Sequence, residues 1–289
     1  PRPDAGPEAL TLPRRFPRRW KIAAAELIAE TFSSRIWKAT REDGSLAVVK
    51  ALKPFDDVED ELRGAFYLRW RDGHGAVRLL GRDRMDMLLD YAGERHLTAV
   101  LDAEGDAATT EIAADVMARL HAPSRRRAPA DLQPLHERFA ALFDKARANG
   151  AAKTNSLYGE AARIAEGLLS DPQDVRPLHG DLHHDNIMEG ERGWLAIDPK
   201  GVLGDAGFDA ANLFYNPLDR DDLCLDPDRI ARMASVFSRS MGHEPRRLMD
   251  HAVAYGALSA AWHAGDGNHK DEQRELAVAA AIRAVRLSF

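Results

Sequence analysis

The chain has 289 residues, and its 46 acidic and 40 basic side chains give a formal net charge of −6 at pH 7. With 45% hydrophobic residues but only 21 glycines and 15 prolines, the composition excludes disordered and fibrous chains and predicts a large buried core. No segment reaches the roughly 18 consecutive apolar residues of a membrane-spanning helix, and residues 1–16 lack the apolar stretch of a signal peptide. We therefore expect a cytoplasmic protein without a membrane partner.

Two basic runs, 14–19 and 125–127, are the segments that could favour nucleic acid. Neither is interleaved with aromatic side chains in the way of a base-stacking surface, so we predict solvated faces and no nucleic-acid partner. The single cysteine, Cys224, cannot form a disulfide within the chain, and its thiol is not expected to be a nucleophile. Any catalytic function is therefore expected to rest on other residues.

The first part of the chain, residues 1–91, has the pattern of a small sheet with one helix. An Asp-Gly pair at 43–44 lies between two strand-like segments and is a strong signal for a hairpin turn. Apolar residues at helical spacing follow, and Gly73 and Gly75 end that pattern. The predicted elements are strands at 35–40 and 45–52, a helix capped by Asp56 or Asp57 and running to Trp70, and strands at 76–80 and 85–91.

From residue 92 onward the pattern is mainly helical. Two short apolar segments, 176–178 and 194–197, enclose a cluster of His, Asp and Asn, which predicts a polar loop and a short hairpin. The predicted fold class is therefore α+β with two lobes, a small β-rich lobe at 1–91 and a larger helical lobe at 92–289. The predicted helices of the second lobe are 109–121, 131–149, 156–169, 228–241, 246–263 and 271–287.

The segment between the two apolar stretches carries the most information about function. It reads H-G-D-L-H-H-D-N from His179 to Asn186, and Asp198 lies at the end of the next apolar stretch. Phosphoryl transfer from ATP needs a carboxylate that orients the acceptor hydroxyl, and oxygen ligands that hold Mg²⁺ against the phosphates. Asp181 fits the first role, and Asn186 and Asp198 fit the second, because D-x-x-x-x-N followed by a later Asp is the spacing of a kinase catalytic loop.

These motifs resemble the aminoglycoside phosphotransferase branch of the protein-kinase-like fold, in which the loop begins H-G-D and the later motif is I-D-P. Here the motifs are His179–Asp181 and Ile197–Pro199. The stretch A-I-D-P-K-G from Ala196, with G-D, F-D, A-N-L and N-P up to Pro217, is similar to the group of streptomycin 6-phosphotransferases and hydroxyurea phosphotransferases. The resemblance implies a bilobal antibiotic-resistance kinase that uses ATP and Mg²⁺ to phosphorylate a hydroxyl of a small molecule.

The resemblance also implies the residues of a nucleotide site. Lys50 matches the strand lysine that holds the α- and β-phosphates, and Glu61 is predicted as its helix partner, with Glu59 as the alternative. The other implied contacts are Ser33 and Ser34 in the loop covering the phosphates, and the backbone of Asp90, Tyr91 and Ala92 in the interlobe linker, where adenine would bind.

Two residues are predicted to be structural and three to contact the acceptor. His179 is expected to hydrogen-bond the backbone near Asp198, and Asp209 resembles the aspartate that braces the catalytic loop from a helix start. A run of acids after the catalytic loop favours a cationic acceptor such as a guanidino sugar. Hydroxyurea, which is small and neutral, is the alternative acceptor. The resemblance places acceptor binding among the later helices of the second lobe, so Trp262 and Asp266 are candidate acceptor residues, together with Asp205 from the acidic run. That run is Asp205, Asp219, Asp221, Asp222, Asp226 and Asp228.

Two other functions remain as alternatives. Alternating His and Asp between His179 and Asp185 could bind zinc and activate water in a hydrolase. A kinase-fold regulator that binds nucleotide without catalysis is the second alternative, disfavoured because Lys50, Asp181, Asn186 and Asp198 are all present. No G-x-G-x-x-G and no G-x-x-x-x-G-K occurs, which excludes Rossmann and P-loop folds.

Overall fold

A five-stranded antiparallel sheet forms the amino-terminal part of the computed structural model, which describes residues 14–54, 58–150 and 156–289. The turn between the second and third strands contains Gly44 at a φ of 81°, a conformation that glycine adopts without steric cost. The strands are β1 (Ile22–Glu30), β2 (Ser34–Arg41), β3 (Leu46–Leu52), β4 (Leu79–Asp83) and β5 (Asp86–Asp90), in the spatial order β1-β2-β3-β5-β4.

Helices dominate the rest of the chain, with two small sheets between them. The long α10 (Pro245–Gly265) packs against α6 (Leu157–Ser170), α7 (Phe208–Ala211) and α11 (His269–Arg286) and forms the centre of the helical part. The other helices are α1 (Val58–Arg71), α2 (Leu97–Glu104), α3 (Asp106–Leu120), α4 (Leu135–Arg138), α5 (Ala140–Gly150), α6 (Leu157–Ser170), α7 (Phe208–Ala211), α8 (Asp221–Cys224), α9 (Pro227–Met241) and α11 (His269–Arg286). The α+β prediction is confirmed.

The two small sheets frame the polar loop. One sheet has the strand order β10-β9-β6 and the other β7-β11-β8. Their strands are β6 (Arg95–His96), β7 (Gln133–Pro134), β8 (Val175–Leu178), β9 (Ile187–Gly190), β10 (Gly193–Ala196) and β11 (Val202–Asp205). The predicted segments 176–178 and 194–197 therefore do not form a hairpin with each other, because β8 pairs with β11 and β10 pairs with β9.

Local sequence explains where the helices begin and end. In α9, Asp226 accepts a hydrogen bond from the Asp228 N–H, Pro227 occupies the first turn, and Gly242 ends the helix at a φ of 75°. Apolar side chains from both parts of the chain pack into one continuous core, and a second, smaller core lies around Trp20 and Trp37 on the sheet. Within the described ranges, no helix is long and apolar enough to cross a membrane.

The helix α1 approaches the 199–201 loop more closely than side chains normally permit. A Cβ on Gly64 would lie 1.9 Å from the Pro199 carbonyl oxygen, and a Cβ on Gly201 would lie 2.6 Å from the Arg63 carbonyl oxygen. Both glycines are needed because real Cβ atoms do not approach backbone atoms within 3.0 Å. The close packing brings the first turn of α1 next to Asp198.

Two further predicted elements need correction. The strand predicted at 76–80 lies at 79–83, and Ala76 instead forms an isolated bridge with Ala196. The single helix predicted at 131–149 begins only at Leu135, because Gln133 and Pro134 pair with β11, and it is divided into α4 and α5 at Phe139. Strand β1 and helix α2 were not predicted. The predicted caps Asp56 and Asp57 lie outside the described residues.

Candidate active site

Four charged side chains meet beside β3. Lys50 Nζ donates to Glu61 Oε2 at 2.5 Å and also contacts Asp198 Oδ1. The second Glu61 oxygen, Oε1, accepts a hydrogen bond from Lys200 Nζ at 2.7 Å. Lys50 and Glu61 are only 6% and 5% exposed, and such burial is tolerated because two lysines and two carboxylates balance in charge.

The position on α1 distinguishes the two candidate partners of Lys50. Glu61 is buried and points to the sheet, whereas the Glu59 side chain is 74% exposed and pairs with Arg63 at 3.1 Å. Lys50 itself lies on the central strand between Ile36 of β2 and Met87 of β5. The geometry therefore pairs the lysine with Glu61.

Lys200 is a member of this cluster that the sequence reasoning missed. Its ammonium lies 2.7 Å from Glu61 Oε1 and 3.7 Å from Asp198 Oδ2. Burial acts to lower the pKa of Lys200, but the carboxylates of Asp198 and Glu61 raise it well above its ordinary value. The available signal was its place two residues after Asp198 in a Pro-Lys-Gly turn, where a lysine cannot lie far from that carboxylate.

Asp198 has a left-handed backbone that only a few residue types adopt readily. Its φ is 61°, a conformation in which Asp is several-fold enriched and which costs roughly 1–3 kcal/mol. Burial acts to raise the pKa of Asp198, but the charges of Lys50 and Lys200 outweigh it and hold the pKa well below the usual range. The carboxylate is therefore ionised at neutral pH.

The catalytic loop brings Asp181 and Asn186 together. Asn186 Nδ2 donates to the Asp181 carbonyl oxygen at 2.9 Å and lies 3.5 Å from Asp181 Oδ2. Asn212, which was quoted only as part of the motif, donates from Nδ2 to Asp181 Oδ1 at 3.0 Å. The two amides thereby fix the orientation of the Asp181 carboxylate.

Asp209 supports the loop from the start of α7. Its carboxylate accepts from the backbone N–H groups of His179 and Gly180, at 3.0 and 2.8 Å, and contacts His121 Nε2 at 2.9 Å. Gly180 has a φ of 80°, and a Cβ there would lie 2.6 Å from Val202 Cγ2, so glycine is required in the H-G-D motif. Burial acts to raise the pKa of Asp209, but the hydrogen bond from His121 lowers it below the ordinary value.

His179 connects the loop to the Asp198 segment. Its Nδ1 accepts from the Asp181 N–H at 3.2 Å, and its Nε2 donates to the Ile197 carbonyl at 2.8 Å. Burial lowers the pKa of His179, in agreement with a neutral ring that has one donor and one acceptor nitrogen. Since both nitrogens are engaged, His179 is not free to bind zinc, and the hydrolase alternative loses its first ligand.

The removal of the Asp209 charge is expected to weaken the fold. Asp209→Asn replaces an acceptor of two buried N–H groups by an amide, so we expect a loss of about 2–4 kcal/mol in the free energy of unfolding near neutral pH. Because the folded-state pKa is lowered, the wild-type carboxylate loses its contribution as pH falls below about 4, and the difference from the variant should narrow there. Urea titrations near neutral pH and below pH 4 measure both effects, and a pH-independent difference would contradict the assignment.

The loop between β1 and β2 is held by its own hydroxyl groups. Thr31 Oγ1 lies 3.3 Å from Ser33 Oγ and 3.2 Å from Ser34 Oγ, and it accepts from the Ser34 N–H at 3.1 Å. Ser34 is only 2% exposed, so of the two predicted serines Ser33 has the more accessible hydroxyl.

The predicted linker follows β5 directly. Asp90 is engaged by the protein itself, because its N–H and Oδ1 bond to the Arg78 backbone and its Oδ2 accepts from Arg192. The Tyr91 hydroxyl donates to Glu94 Oε1 at 2.7 Å, and Ala92 is buried. A nucleotide contact at Asp90 would therefore have to use its carbonyl oxygen.

A cavity of about 800 Å³ lies between α1, α4 and the end of α10. Trp262 and Asp266, two of the candidate acceptor residues, line it, and Arg138 connects it to the catalytic loop through a 3.4 Å hydrogen bond to the Gly180 carbonyl. Carboxylates outnumber cations in the wall. The charged lining residues are Glu59, Asp60, Glu137 and Asp266 against Arg63 and Arg138.

Asp205 and the acidic run do not join this cavity. Asp205 is 2% exposed, and its carboxylate accepts from Arg247 and from two backbone N–H groups, so it has no surface for an acceptor. Three others are engaged in local structure: Asp221 pairs with Arg274, Asp222 pairs with Arg220, and Asp226 caps α9. None of the members Asp205, Asp219, Asp221, Asp222, Asp226 and Asp228 lines this cavity.

The fold and the site together define a class of protein. A strand lysine paired with a helix glutamate and an aspartate, beside a loop that joins a second aspartate to an asparagine, is the constellation of protein-kinase-like phosphotransferases. The fold and this arrangement are those of the bilobal, protein-kinase-like class.

Comparisons with known proteins agree with this class. The family model described as aminoglycoside/hydroxyurea antibiotic resistance kinase matches residues 19–267. A streptomycin 3''-kinase of Klebsiella pneumoniae is 39% identical over 86% of this chain and 91% of that protein. A streptomycin 6-kinase of Streptomyces glaucescens is 32% identical over 92% of this chain and 86% of that protein. The chain belongs to the aminoglycoside/hydroxyurea antibiotic resistance kinase family.

Solved structures confirm the fold. A thermostable aminoglycoside phosphotransferase in ternary complex with ADP and hygromycin B superimposes with a TM-score of 0.63 at 15% identity, over 92% of this chain and 96% of that chain. At this identity the likeness supports the bilobal architecture. Nucleotide use by this chain follows from its membership of a kinase family.

Proposed function

We propose that this protein transfers the γ-phosphoryl group of ATP, with Mg²⁺, to a hydroxyl of a streptomycin-type aminoglycoside. The observation that carries the proposal is the buried contact of Lys50 with both Glu61 and Asp198, next to the loop that holds Asp181 and Asn186. Because ATP is the phosphoryl donor, we place the reaction in the cytoplasm. We also assign residues 1–91 to a nucleotide-covering lobe and 92–289 to the lobe that holds the catalytic loop.

Lys50 is the proposed phosphate ligand. Glu61 Oε2 accepts from the Lys50 ammonium and positions it, while Glu61 Oε1 accepts from Lys200. Because each carboxylate oxygen has its own lysine, Glu61 can keep its contact with Lys50. The α- and β-phosphates would take the place that Asp198 holds beside Lys50. The backbone of Tyr91 and Ala92 and the carbonyl of Asp90 would bind adenine, and Ser33 would lie over the phosphates.

The donor set fits a magnesium ion. Asn186 uses its amide nitrogen as a donor to Asp181, so its amide oxygen is the atom that can bind a cation. Asp198 supplies an ionised carboxylate, and magnesium prefers such oxygen ligands together with substrate phosphates. When bound, the ion would neutralise charge on the phosphates that develops during transfer.

Asp181 is the proposed base that orients the acceptor hydroxyl and accepts its proton. Its carboxylate is held by Asn212 and by the neighbouring Asn186 amide, so it needs no reorientation during the reaction. The cavity that reaches this loop through Arg138 would hold the acceptor, with Trp262 and Asp266 in its wall.

The acceptor is proposed from the cavity and the relatives together. A wall in which carboxylates outnumber cations favours a positively charged acceptor over neutral hydroxyurea. Identity to the streptomycin 3''-kinase is 39%, against 32% for the 6-kinase, which favours the 3''-hydroxyl as the site of transfer.

An ADP-release assay with Mg²⁺ and a panel of streptomycin, hygromycin B and hydroxyurea tests the proposed acceptor. We expect streptomycin to give the highest kcat/KM, and NMR of the product to place the phosphate on the 3''-hydroxyl. ADP release with hydroxyurea but not with streptomycin would overturn the proposed acceptor, and phosphate on the 6-hydroxyl would overturn the proposed position.

A further inference from the structure

Arg138 is a buried guanidinium that contacts three parts of the site at once. Its Nη1 donates to Asp60 Oδ2 at 3.2 Å and to Gln133 Oε1 at 3.0 Å, and its Nη2 donates to the Gly180 carbonyl at 3.4 Å. The guanidinium carbon lies 5.2 Å from the centre of the Trp262 ring. Only 9% of Arg138 is exposed, so this arrangement is built into the protein.

Three partners of Arg138 lie next to different parts of the candidate site. Asp60 immediately precedes Glu61, the partner of Lys50, on α1. Gly180 immediately precedes Asp181, and Trp262 forms a wall of the proposed acceptor cavity. One planar guanidinium therefore touches the helix of the nucleotide lysine, the catalytic loop and the acceptor cavity.

The cavity is lined by residues from both partners of the Asp60–Arg138 contact. Asp60 and Arg63 on α1 contribute one wall, and Arg138 on α4 and Trp262 on α10 contribute another. If α1 moved away from α4, the Asp60–Arg138 contact would break and the cavity would lose the part of its wall that α1 contributes. An acceptor that touches both walls therefore binds better when α1 is docked, and docked α1 is also the arrangement in which Glu61 holds Lys50.

We propose that the Asp60–Arg138 contact couples acceptor binding to nucleotide binding, with Arg138 as the positioning residue. Either ligand stabilises the docked arrangement of α1 and thereby lowers the cost of binding the other, and this coupling must be equal in both directions. Arg138 is suited to the role because its planar fork keeps two partners in fixed geometry through separate nitrogen atoms. The proposal rests on the proposed function for its choice of acceptor probe.

Calorimetric titration of streptomycin, with and without saturating AMP-PNP and Mg²⁺, measures the coupling. For the wild type we expect the nucleotide to tighten streptomycin binding by about tenfold. In Asp60→Asn the ratio should fall to near one, and AMP-PNP alone should bind somewhat more weakly than to the wild type because the lost contact no longer helps to hold α1 docked. Arg138→Gln removes the contact from the other side and should give the same loss. Asp60 is partly exposed, so its near-isosteric substitution is the variant expected to fold like the wild type.

Glu59→Gln is the matched control. Asp60 and Glu59 both line the cavity and both pair with Arg63, at 2.7 and 3.1 Å, but only Asp60 contacts Arg138. We expect Glu59→Gln to keep the tenfold ratio. A tenfold ratio retained in Asp60→Asn, or lost equally in Glu59→Gln, would overturn the proposal.

A second readout separates failure of the coupling from failure of the proposed acceptor. AMP-PNP should slow amide hydrogen exchange in residues 133–139 of the wild type and of Glu59→Gln, but not of Asp60→Asn. If AMP-PNP binds but streptomycin does not, the proposed acceptor is wrong, and the exchange data still decide on the contact. The proposal would be overturned if AMP-PNP slowed amide exchange in residues 133–139 equally in all three proteins, or in none of them.

Discussion

Asp181→Asn is expected to lower kcat by roughly 10²–10⁴-fold, the usual contribution of a positioned general base. The substitution keeps the size of the side chain and its place beside Asn212 and Asn186, but an amide cannot accept the proton of the acceptor hydroxyl. Steady-state kinetics with saturating ATP and streptomycin measure the effect.

The control for this variant is nucleotide binding. Lys50, Glu61 and Asp198 are untouched by Asp181→Asn, so the Kd for AMP-PNP and the Tm should stay close to those of the wild type. A variant with full turnover would remove Asp181 from the mechanism. A variant that lost nucleotide binding together with turnover would show a structural role instead.

Gly64→Ala is expected to abolish most activity although it removes no functional group. The added methyl would lie 1.9 Å from the Pro199 carbonyl oxygen, so α1 must move away from the loop that carries Asp198 and Lys200. Such overpacking typically costs about 1–3 kcal/mol of stability. The displacement also separates Glu61 from Lys50 and Lys200, so we expect weaker AMP-PNP binding. We expect kcat to fall by about 10²-fold, the usual effect of misplacing a site residue by about 1 Å.

Gly167→Ala is the matched control for the glycine effect. Gly167 lies within α6, and a Cβ there would meet nothing within 4 Å. Alanine has the higher helix propensity, so this variant should be as stable as the wild type or more stable by up to about 1 kcal/mol. If both variants behave alike in thermal unfolding and in kinetics, the close approach of α1 to Pro199 does not matter for activity.

The sequence motifs indicated which polar residues of the candidate site lie together, because these residues are neighbours in the chain. His179, Asp181 and Asn186 lie on one loop, and a local motif is sufficient to indicate their contacts. Lys200 and Arg138 were missed for the opposite reason. Their partners Glu61 and Asp60 are far away in sequence, and only the packing of α1 brings them together.

The fold was predictable where local pattern and tertiary structure agree. The hairpin of β2 and β3 has an Asp-Gly turn between strand-like segments, and it was placed to within one residue at each end. Strand β1 was missed because its sequence, I-A-A-A-E-L-I-A-E, favours a helix by composition. It is a strand because it pairs along β2, and such long-range pairing overrides local propensity.

The cationic-acceptor hypothesis was based on an acidic run that does not line the cavity. The acidic run after the catalytic loop serves ion pairs and helix caps, as Asp221 and Asp226 show. The carboxylates of the cavity wall come instead from α1, α4 and the end of α10. Three separate segments of sequence contribute to that wall, so no single pattern could have predicted it.

Transfer of label from ATP labelled in its γ-phosphoryl group tests the central claim most directly. The protein is incubated with the labelled ATP, Mg²⁺ and streptomycin, and the products are separated and identified by mass spectrometry. We expect the label on streptomycin, in a quantity equal to the ADP formed, and no transfer by Asp181→Asn. Label that stays on ATP, or that appears only as inorganic phosphate, would contradict phosphoryl transfer to this acceptor.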